Sequence, residues 1–308
     1  MPKRKKNNTK SIHPKIYIYC EGTETERNYL AGYISHRYQG YSLVQFIEIP
    51  KIKQNTPKSI VKRIISDIKD DGHLQGDIHW AIYDRESKAK IQDKEHLEAL
   101  QLAKANNINV VFSSVCIEQW FIYHFVYSKA AYTSCSNLLS ESPLKQKLKD
   151  VGLHKYDKAE PEIYDYLKSG VDDARSYAKK INKEVIEDSV DGIDENQPFK
   201  LNPYTNFFEV LDSIDLFLLE ESFRIDFALI KSSILFFIEE DIKDINPDDN
   251  RQYSAWLKFK ENYEKYLHEN SKFFEVWREK ANDNLDGELI ALDTNIDNFY
   301  YQNLSKCS

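Results

Sequence analysis

Acidic residues follow two apolar segments of this chain, at the points where those segments end. Glu21 comes directly after the β-rich run 15–20, and Asp84 and Glu86 come after the run 78–83. Asp84 and Glu86 lie two positions apart, so an extended chain presents both side chains on the same side. Carboxylate oxygens are the ligands that Mg²⁺ and Mn²⁺ prefer in proteins. These positions therefore predict a divalent-metal site suited to phosphate chemistry.

A further acid, Glu118, lies at the start of the predicted helix that follows a fourth apolar segment. Because the carboxyl ends of parallel strands meet at one edge of a sheet, Glu21, Asp84 and Glu118 would lie near one another. Each acid alone has an ordinary alternative role as a turn residue or a helix N-cap. His124, on an aromatic helix face, is interpreted as a packed core histidine rather than a base.

Strand-like and helix-like segments alternate through the first 130 residues. Parallel strands need helical crossovers, so this order predicts an α/β fold with a mostly parallel four-stranded sheet flanked by helices. From residue 132 onward the apolar positions recur at helical spacing only, so only helices are predicted there. One of these predicted helices begins at Thr205. The predicted strands are 15–20, 43–50, 78–83 and 108–113, and the predicted helices between and after them are 23–37, 57–71, 92–106 and 117–127.

Three regions are predicted along the chain. Residues 1–14 form a basic disordered arm, 15–218 form the α/β domain, and 219–308 form an all-helical C-terminal extension. The basic arm is interpreted as a solubilising tail or, more specifically, as a phosphate contact, and a second basic cluster is a candidate nucleic-acid contact. Its members are Lys51, Lys53, Lys58, Lys62 and Arg63.

Composition excludes several classes of protein. The chain has 308 residues, 41% of them hydrophobic, and a net charge of −8. No apolar run approaches the roughly 20 residues of a membrane span, and the basic start lacks the apolar region of a secretory signal. We therefore expect a cytoplasmic protein with no membrane contact. The four cysteines show no CxxC spacing, so a zinc site or disulfide framework is not expected, and no P-loop motif occurs.

Four motifs, in order, resemble those of the RloB-like family, phage-defence proteins of the AbiL second-component type with a Toprim-like domain. Cys20–Glu26 followed by Tyr29 resembles the opening CEGxxTExxY, and Trp80–Glu86 resembles a strand followed by DRD. Ile117–Phe125 resembles the FExWLLxHF helix, and Asn202–Thr205 resembles the closing NPxT segment. The resemblance covers roughly residues 15–215. It departs from the family pattern at Glu86, where the family has aspartate, and before Cys116, where Asn-Pro is missing.

The resemblance implies a Toprim-type nuclease that depends on Mg²⁺ or Mn²⁺. It makes Glu21 the acid/base or a metal ligand, Asp84 and Glu86 metal ligands, and Glu118 a supporting ligand. Glu26 and Arg85 are given supporting roles.

The resemblance also implies an RNA or DNA substrate and an AAA or SMC-like ATPase partner in antiviral defence by abortive infection, with a homodimer as a further expectation. Two other hypotheses stay open. The chain could be a non-catalytic Toprim-like partner of the ATPase, or a metal-dependent nucleotidyl or phosphoryl transferase.

Overall fold

The computed structural model describes residues 14–70, 73–74, 76–189, 193–194 and 196–218. The predicted helical extension, and the predicted basic arm apart from Pro14, lie outside these residues. Within the described part of the chain, no helix is both long enough and apolar enough to cross a membrane.

A five-stranded sheet forms the centre of the described domain. Its spatial order is β2-β1-β3-β4-β5, and the first four strands along the chain pair in parallel. β5 pairs antiparallel with β4 and adds an edge strand that the sequence did not predict. The predicted α/β class and mostly parallel sheet are therefore confirmed. The strands are β1 (Ile16–Cys20), β2 (Ile47–Glu48), β3 (Ile78–Asp84), β4 (Asn109–Ser114) and β5 (Tyr204–Thr205).

Helices connect the parallel strands and return the chain to the same edge of the sheet each time. Residues 207–218 are also helical and are called α9. Short 3₁₀ turns occupy Ser42–Phe46, Lys168–Gly170 and Pro198–Lys200. The other helices are α1 (Thr25–Arg37), α2 (Pro57–Asp70), α3 (Asp93–Lys104), α4 (Glu118–Tyr123), α5 (Cys135–Glu141), α6 (Leu144–Asp150), α7 (Ile163–Leu167) and α8 (Val171–Glu187).

Two predicted elements are shorter than expected. The alternating segment 43–50 forms a 3₁₀ turn and a two-residue strand, because β2 pairs with β1 alone at the edge of the sheet. The aromatic helix predicted over 117–127 ends at Tyr123. At that end Gly170 packs against the His124 carbonyl oxygen, so closely that a Cβ on Gly170 would lie 2.1 Å from it.

Aromatic side chains fill the core on one side of the sheet. The Trp120 and Phe207 rings stack with centroids 5.6 Å apart, and Tyr29 makes an edge contact with each of them. His124 is buried among these rings and lies 2.9 Å from the Tyr29 hydroxyl. Burial lowers the pKa of His124 to about 3, so it is neutral. This confirms its interpretation as a packed core histidine.

The opposite side of the sheet is packed by α2 and α3. Ile60 and Ile64 of α2 and Ala99 of α3 are fully buried against residues of β3 such as Ala81 and Tyr83. With both faces covered, β1 and β3 are buried along most of their length, which explains their continuous apolar sequences. Polar residues therefore gather where these strands end.

Candidate functional site

Glu21 is held at the carboxyl end of two adjacent strands. Its backbone N–H donates to the Ile82 carbonyl over 2.9 Å and continues the pairing of β1 with β3. Its side-chain Oε2 accepts a hydrogen bond of 3.1 Å from the backbone N–H of Asp84. The Glu21 carboxylate is thus fixed beside the last residue of β3, as the predicted convergence of strand ends requires.

Glu86 lies just beyond β3 in a strained backbone conformation. Its φ is 57°, in the left-handed region that non-glycine residues seldom adopt. The Glu86 N–H donates to the Val115 carbonyl over 3.0 Å, which extends the pairing with the β4 side of the sheet. The Glu86 carboxylate lies 2.5 Å from the Lys90 ammonium. Such strain is typical of functional positions that the surrounding structure holds in place.

Glu118, the first residue of α4, is fully buried. Its Oε1 accepts a hydrogen bond of 3.0 Å from the Tyr156 hydroxyl and lies 3.4 Å from the Lys158 ammonium. Its Oε2 lies 3.4 Å from the Cys135 thiol. The carboxylate is therefore already engaged by three side chains at the end of β4.

A pocket of about 360 Å³ opens at these strand ends. Of the acids that sequence analysis singled out, Glu21, Glu26, Asp84 and Glu86 line it, whereas Glu118 does not. The structure thus brings together the predicted carboxylates of β1 and β3. The remaining lining residues are Gly22, Thr23, Glu24, Thr25, Ile117, Asp157, Lys158 and Ala159.

Glu26 contributes a buried carboxylate oxygen that has no hydrogen-bond partner. The residue is only 3% exposed, and its Oε2 is unpaired. The same oxygen lies against Gly22, where an added Cβ would come within 2.0 Å of it. This packing explains why glycine follows Glu21. An unpaired buried carboxylate oxygen is costly, and a bound cation would satisfy it.

The electrostatics of the pocket favour a cation. Burial, together with the Glu86 and Glu26 carboxylates, raises the pKa of Glu21 to about 7, although the hydrogen bond from Asp84 acts in the opposite direction. Burial and the Glu26, Glu21 and Glu118 carboxylates raise the pKa of Asp84 well above its usual range. Burial also raises the pKa of Glu26. A divalent ion would reverse these shifts by stabilising the ionised carboxylates.

Arg85 points away from the pocket. Its buried guanidinium donates to the Phe199 and Ile91 carbonyls over 2.7 and 3.0 Å and to the Asp93 carboxylate over 2.6 Å. The expected supporting role of Arg85 is therefore structural, since it anchors the loop after β3 to α3 and to the 3₁₀ turn at Phe199.

The predicted basic cluster lies on the surface, and none of its five residues lines the acidic pocket in the described part of the chain. Lys58 pairs with Glu98 at 2.6 Å and Arg63 with Asp67 at 2.8 Å. Lys51 and Lys53 follow β2, whose carboxyl end lies at the same edge of the sheet as Glu21.

Lys158 was missed by sequence reasoning. It lies in the loop between α6 and α7, about 140 residues after Glu21, in a polar stretch with no periodic pattern. Two hydrogen bonds hold this loop on α1: the Thr25 hydroxyl donates to the Lys158 carbonyl over 2.7 Å, and Asn28 Nδ2 donates to the Ala159 carbonyl over 3.2 Å. Only the tertiary fold places this lysine at the pocket.

The cysteines form a grouping that their spacing did not predict. Ligand atoms of Cys116, Glu118 and Cys135 all lie within 4.8 Å of one another. Among residues 14–218 with defined positions, this is the one set of three potential ligands that close together. The oxygens of Glu21, Asp84 and Glu86 thus share a pocket but are spread more widely around it.

The family model described as RloB-like protein matches residues 16–214. This chain belongs to the RloB-like family. The match confirms the resemblance seen in the motifs, and its range contains all five strands and every predicted site residue. Neither the curated proteins nor the solved structures contain a match to this chain.

Proposed function

We propose that this RloB-like protein is a divalent-metal-dependent nuclease, which hydrolyses phosphodiester bonds of RNA or DNA at a Toprim-type site. One observation carries the proposal. Glu21, Asp84 and Glu86 line a single pocket at the carboxyl ends of adjacent parallel strands, together with the unpaired buried oxygen of Glu26. Ligands of open α/β sheets bind at this edge.

The residues present fit Mg²⁺ or Mn²⁺. Asp84 and Glu86 would hold the ion, and Glu21 and Glu26 would complete a set of hard oxygen donors. When bound, the ion polarises the phosphodiester and lowers the pKa of the attacking water. Glu118 would support the site indirectly, because it lies 3.4 Å from the ammonium of Lys158, which lines the pocket.

Glu21 supplies the acid/base group. In the metal-free pocket burial raises the pKa of Glu21 to about 7, and a bound divalent ion would lower it and favour the ionised carboxylate that accepts a proton. As the water oxygen bonds to phosphorus, Glu21 accepts the water proton and the bond from phosphorus to the leaving oxygen breaks. The leaving oxygen takes a proton from solvent, and the products are a phosphomonoester and a free hydroxyl.

A nuclease assay tests the proposal. The full-length chain should cleave labelled RNA, single-stranded DNA or duplex DNA with Mg²⁺ or Mn²⁺, and chelation should stop the cleavage. We expect Glu21→Gln and Asp84→Asn to lose about a thousandfold or more in rate. Glu95→Gln on the exposed side of α3 makes the same charge change away from the pocket and should cleave normally. Equal cleavage by all three variants would contradict the proposed site.

A non-catalytic partner subunit is the second candidate. It is favoured by the wide spread of the Glu21, Asp84 and Glu86 oxygens, compared with the tighter group around Cys116. Nucleotidyl or phosphoryl transfer, which uses the same metal chemistry, is the third. Incubation with nucleotides and analysis of the products separates transfer from hydrolysis, and unaltered phage protection by Asp84→Asn would favour the non-catalytic subunit.

We further propose that the protein acts in the cytoplasm, as part of an abortive-infection defence controlled by an AAA or SMC-like ATPase. The family motifs support this proposal, and the chain contains no P-loop of its own. Three experiments together test this proposal. They are co-purification with the product of a neighbouring ATPase gene, sizing of the complex for a homodimer, and phage plating with and without that gene.

A further inference from the structure

We propose that Lys158 is the substrate-phosphate ligand of this site, and that its ammonium group stands in for the divalent ion in the metal-free protein. This inference rests on the proposed nuclease function and deepens it. No sequence motif assigned a role to Lys158.

The backbone of Lys158 is fixed to α1, the helix that carries Glu26. Thr25 donates to the Lys158 carbonyl over 2.7 Å, and Asn28 Nδ2 donates to the Ala159 and Glu160 carbonyls over 3.2 and 3.1 Å. Thr25 directly precedes Glu26, whose unpaired oxygen lines the same pocket. The loop therefore keeps the base of the Lys158 side chain at a set distance from the carboxylates.

The Lys158 ammonium compensates buried negative charge. It lies 3.4 Å from Oε1 of Glu118, a carboxylate with no solvent exposure. Lys158 also lines the pocket whose walls carry Asp84 and Glu26. Ionised carboxylates are expensive to bury without a cation, so an ammonium at this position stabilises the pocket while no metal is bound.

The Lys158 side chain also reaches solvent. It is 51% exposed, in contrast to the fully buried Glu118 with which it pairs. A divalent ion among the carboxylates repels the ammonium, and the flexible four-carbon stem lets it swing toward the pocket opening. A substrate phosphate that enters there supplies a negative charge with which the ammonium can then pair. Lysine is well suited to this role as a point charge with three donors.

Separate measurements of Mn²⁺ binding and of nucleic-acid cleavage test whether the metal ion and the Lys158 ammonium exchange places. We expect Lys158→Met to bind Mn²⁺ roughly tenfold more tightly than the wild type, because the competing charge is gone. The same variant should cleave nucleic acid about a hundredfold more slowly at saturating Mn²⁺. Lys155→Met removes an exposed lysine from the same loop and should match the wild type in both measurements. Lys158→Arg should restore wild-type Mn²⁺ affinity.

The outcomes separate the inference from the function. If the wild type binds Mn²⁺ and Lys158→Met binds it no more tightly, the exchange is wrong and the proposed function stands. If Lys158→Met cleaves as fast as Lys155→Met, the phosphate role is wrong. If neither the wild type nor any variant binds Mn²⁺, the proposed function is wrong and the inference is overturned with it. Thermal unfolding of each variant verifies that it is folded.

Discussion

Replacing Glu21 by glutamine should make the protein more stable at alkaline pH while abolishing its activity. Burial raises the pKa of Glu21 from 4.5 to about 7 in the folded chain. Between these values the folded state binds more protons than the unfolded state, so the stability of the wild type falls as pH rises. Glutamine keeps an oxygen that can accept the hydrogen bond from the Asp84 N–H, but it carries no charge.

The size of the effect follows from the two pKa values. They differ by about 2.5, and each pKa unit corresponds to about 1.4 kcal/mol. Between pH 4.5 and pH 8 the free energy of unfolding of Glu21→Gln should therefore rise relative to that of the wild type by about 3 kcal/mol. The pH window lies almost entirely between 4.5 and 7, and the difference should level off above it.

Urea unfolding of the full-length chain in the presence of EDTA measures this change. Both proteins are unfolded at a series of pH values from 4.5 to 8, and their difference in unfolding free energy is plotted against pH. Glu95→Gln, an exposed glutamate on α3, is the matched control and should show a flat difference. A flat curve for Glu21→Gln as well would refute the argument that burial raises the pKa of Glu21.

Three further changes test other parts of the site. Gly22→Ala places a Cβ 2.0 Å from Glu26 Oε2, so we expect the protein to lose about 1–3 kcal/mol of stability and to bind Mn²⁺ more weakly. An unchanged Mn²⁺ affinity would contradict the close packing of Gly22 against the Glu26 carboxylate. Glu118→Ala removes the acceptor of Tyr156, and thermal unfolding should show a loss of about 1–3 kcal/mol, whereas no loss would mean that Glu118 is not needed structurally. The double change Lys51→Glu and Lys53→Glu should raise KM for nucleic acid most at low salt, and equal KM values would show that these lysines do not contact it.

The sequence was sufficient to predict the part of the site that depends on strand order. Glu21 and Asp84 end strands of one parallel sheet, so their approach follows from topology once the alternation of strands and helices is recognised. Glu86 was predicted on the assumption of an extended chain after Asp84, whereas its φ of 57° shows that the backbone is not extended there. Glu26 was singled out by a motif, but its unpaired oxygen is visible only in the packed structure.

Features that depend on long-range packing could not be predicted. β5 has two residues and forms only because Tyr204 and Thr205 reach Ser113 and Ser114 of β4, about 90 residues earlier. Local apolar spacing instead favoured a helix beginning at Thr205. Lys158 reaches the pocket only through the hydrogen bonds between its loop and α1.

For the basic cluster, the sequence shows which residues carry the charge but not which residues they pair with. The sequence marked Lys58 and Arg63 as members of a basic cluster, but it could not show that they pair with Glu98 and Asp67. For these two residues, surface ion pairs of α2 account for the charge without any nucleic acid. Lys51 and Lys53, near the active edge of the sheet, are the members of the cluster on which the contact hypothesis depends.

A crystal structure of the protein with Mn²⁺, with the ion located by its anomalous scattering, tests the central claim most directly. Our account predicts a peak in the pocket, with carboxylate oxygens of Asp84 and Glu86 about 2.0–2.4 Å from the ion and Glu21 or Glu26 adjacent. Absence of a peak there, or a peak only among Cys116, Glu118 and Cys135, would contradict it.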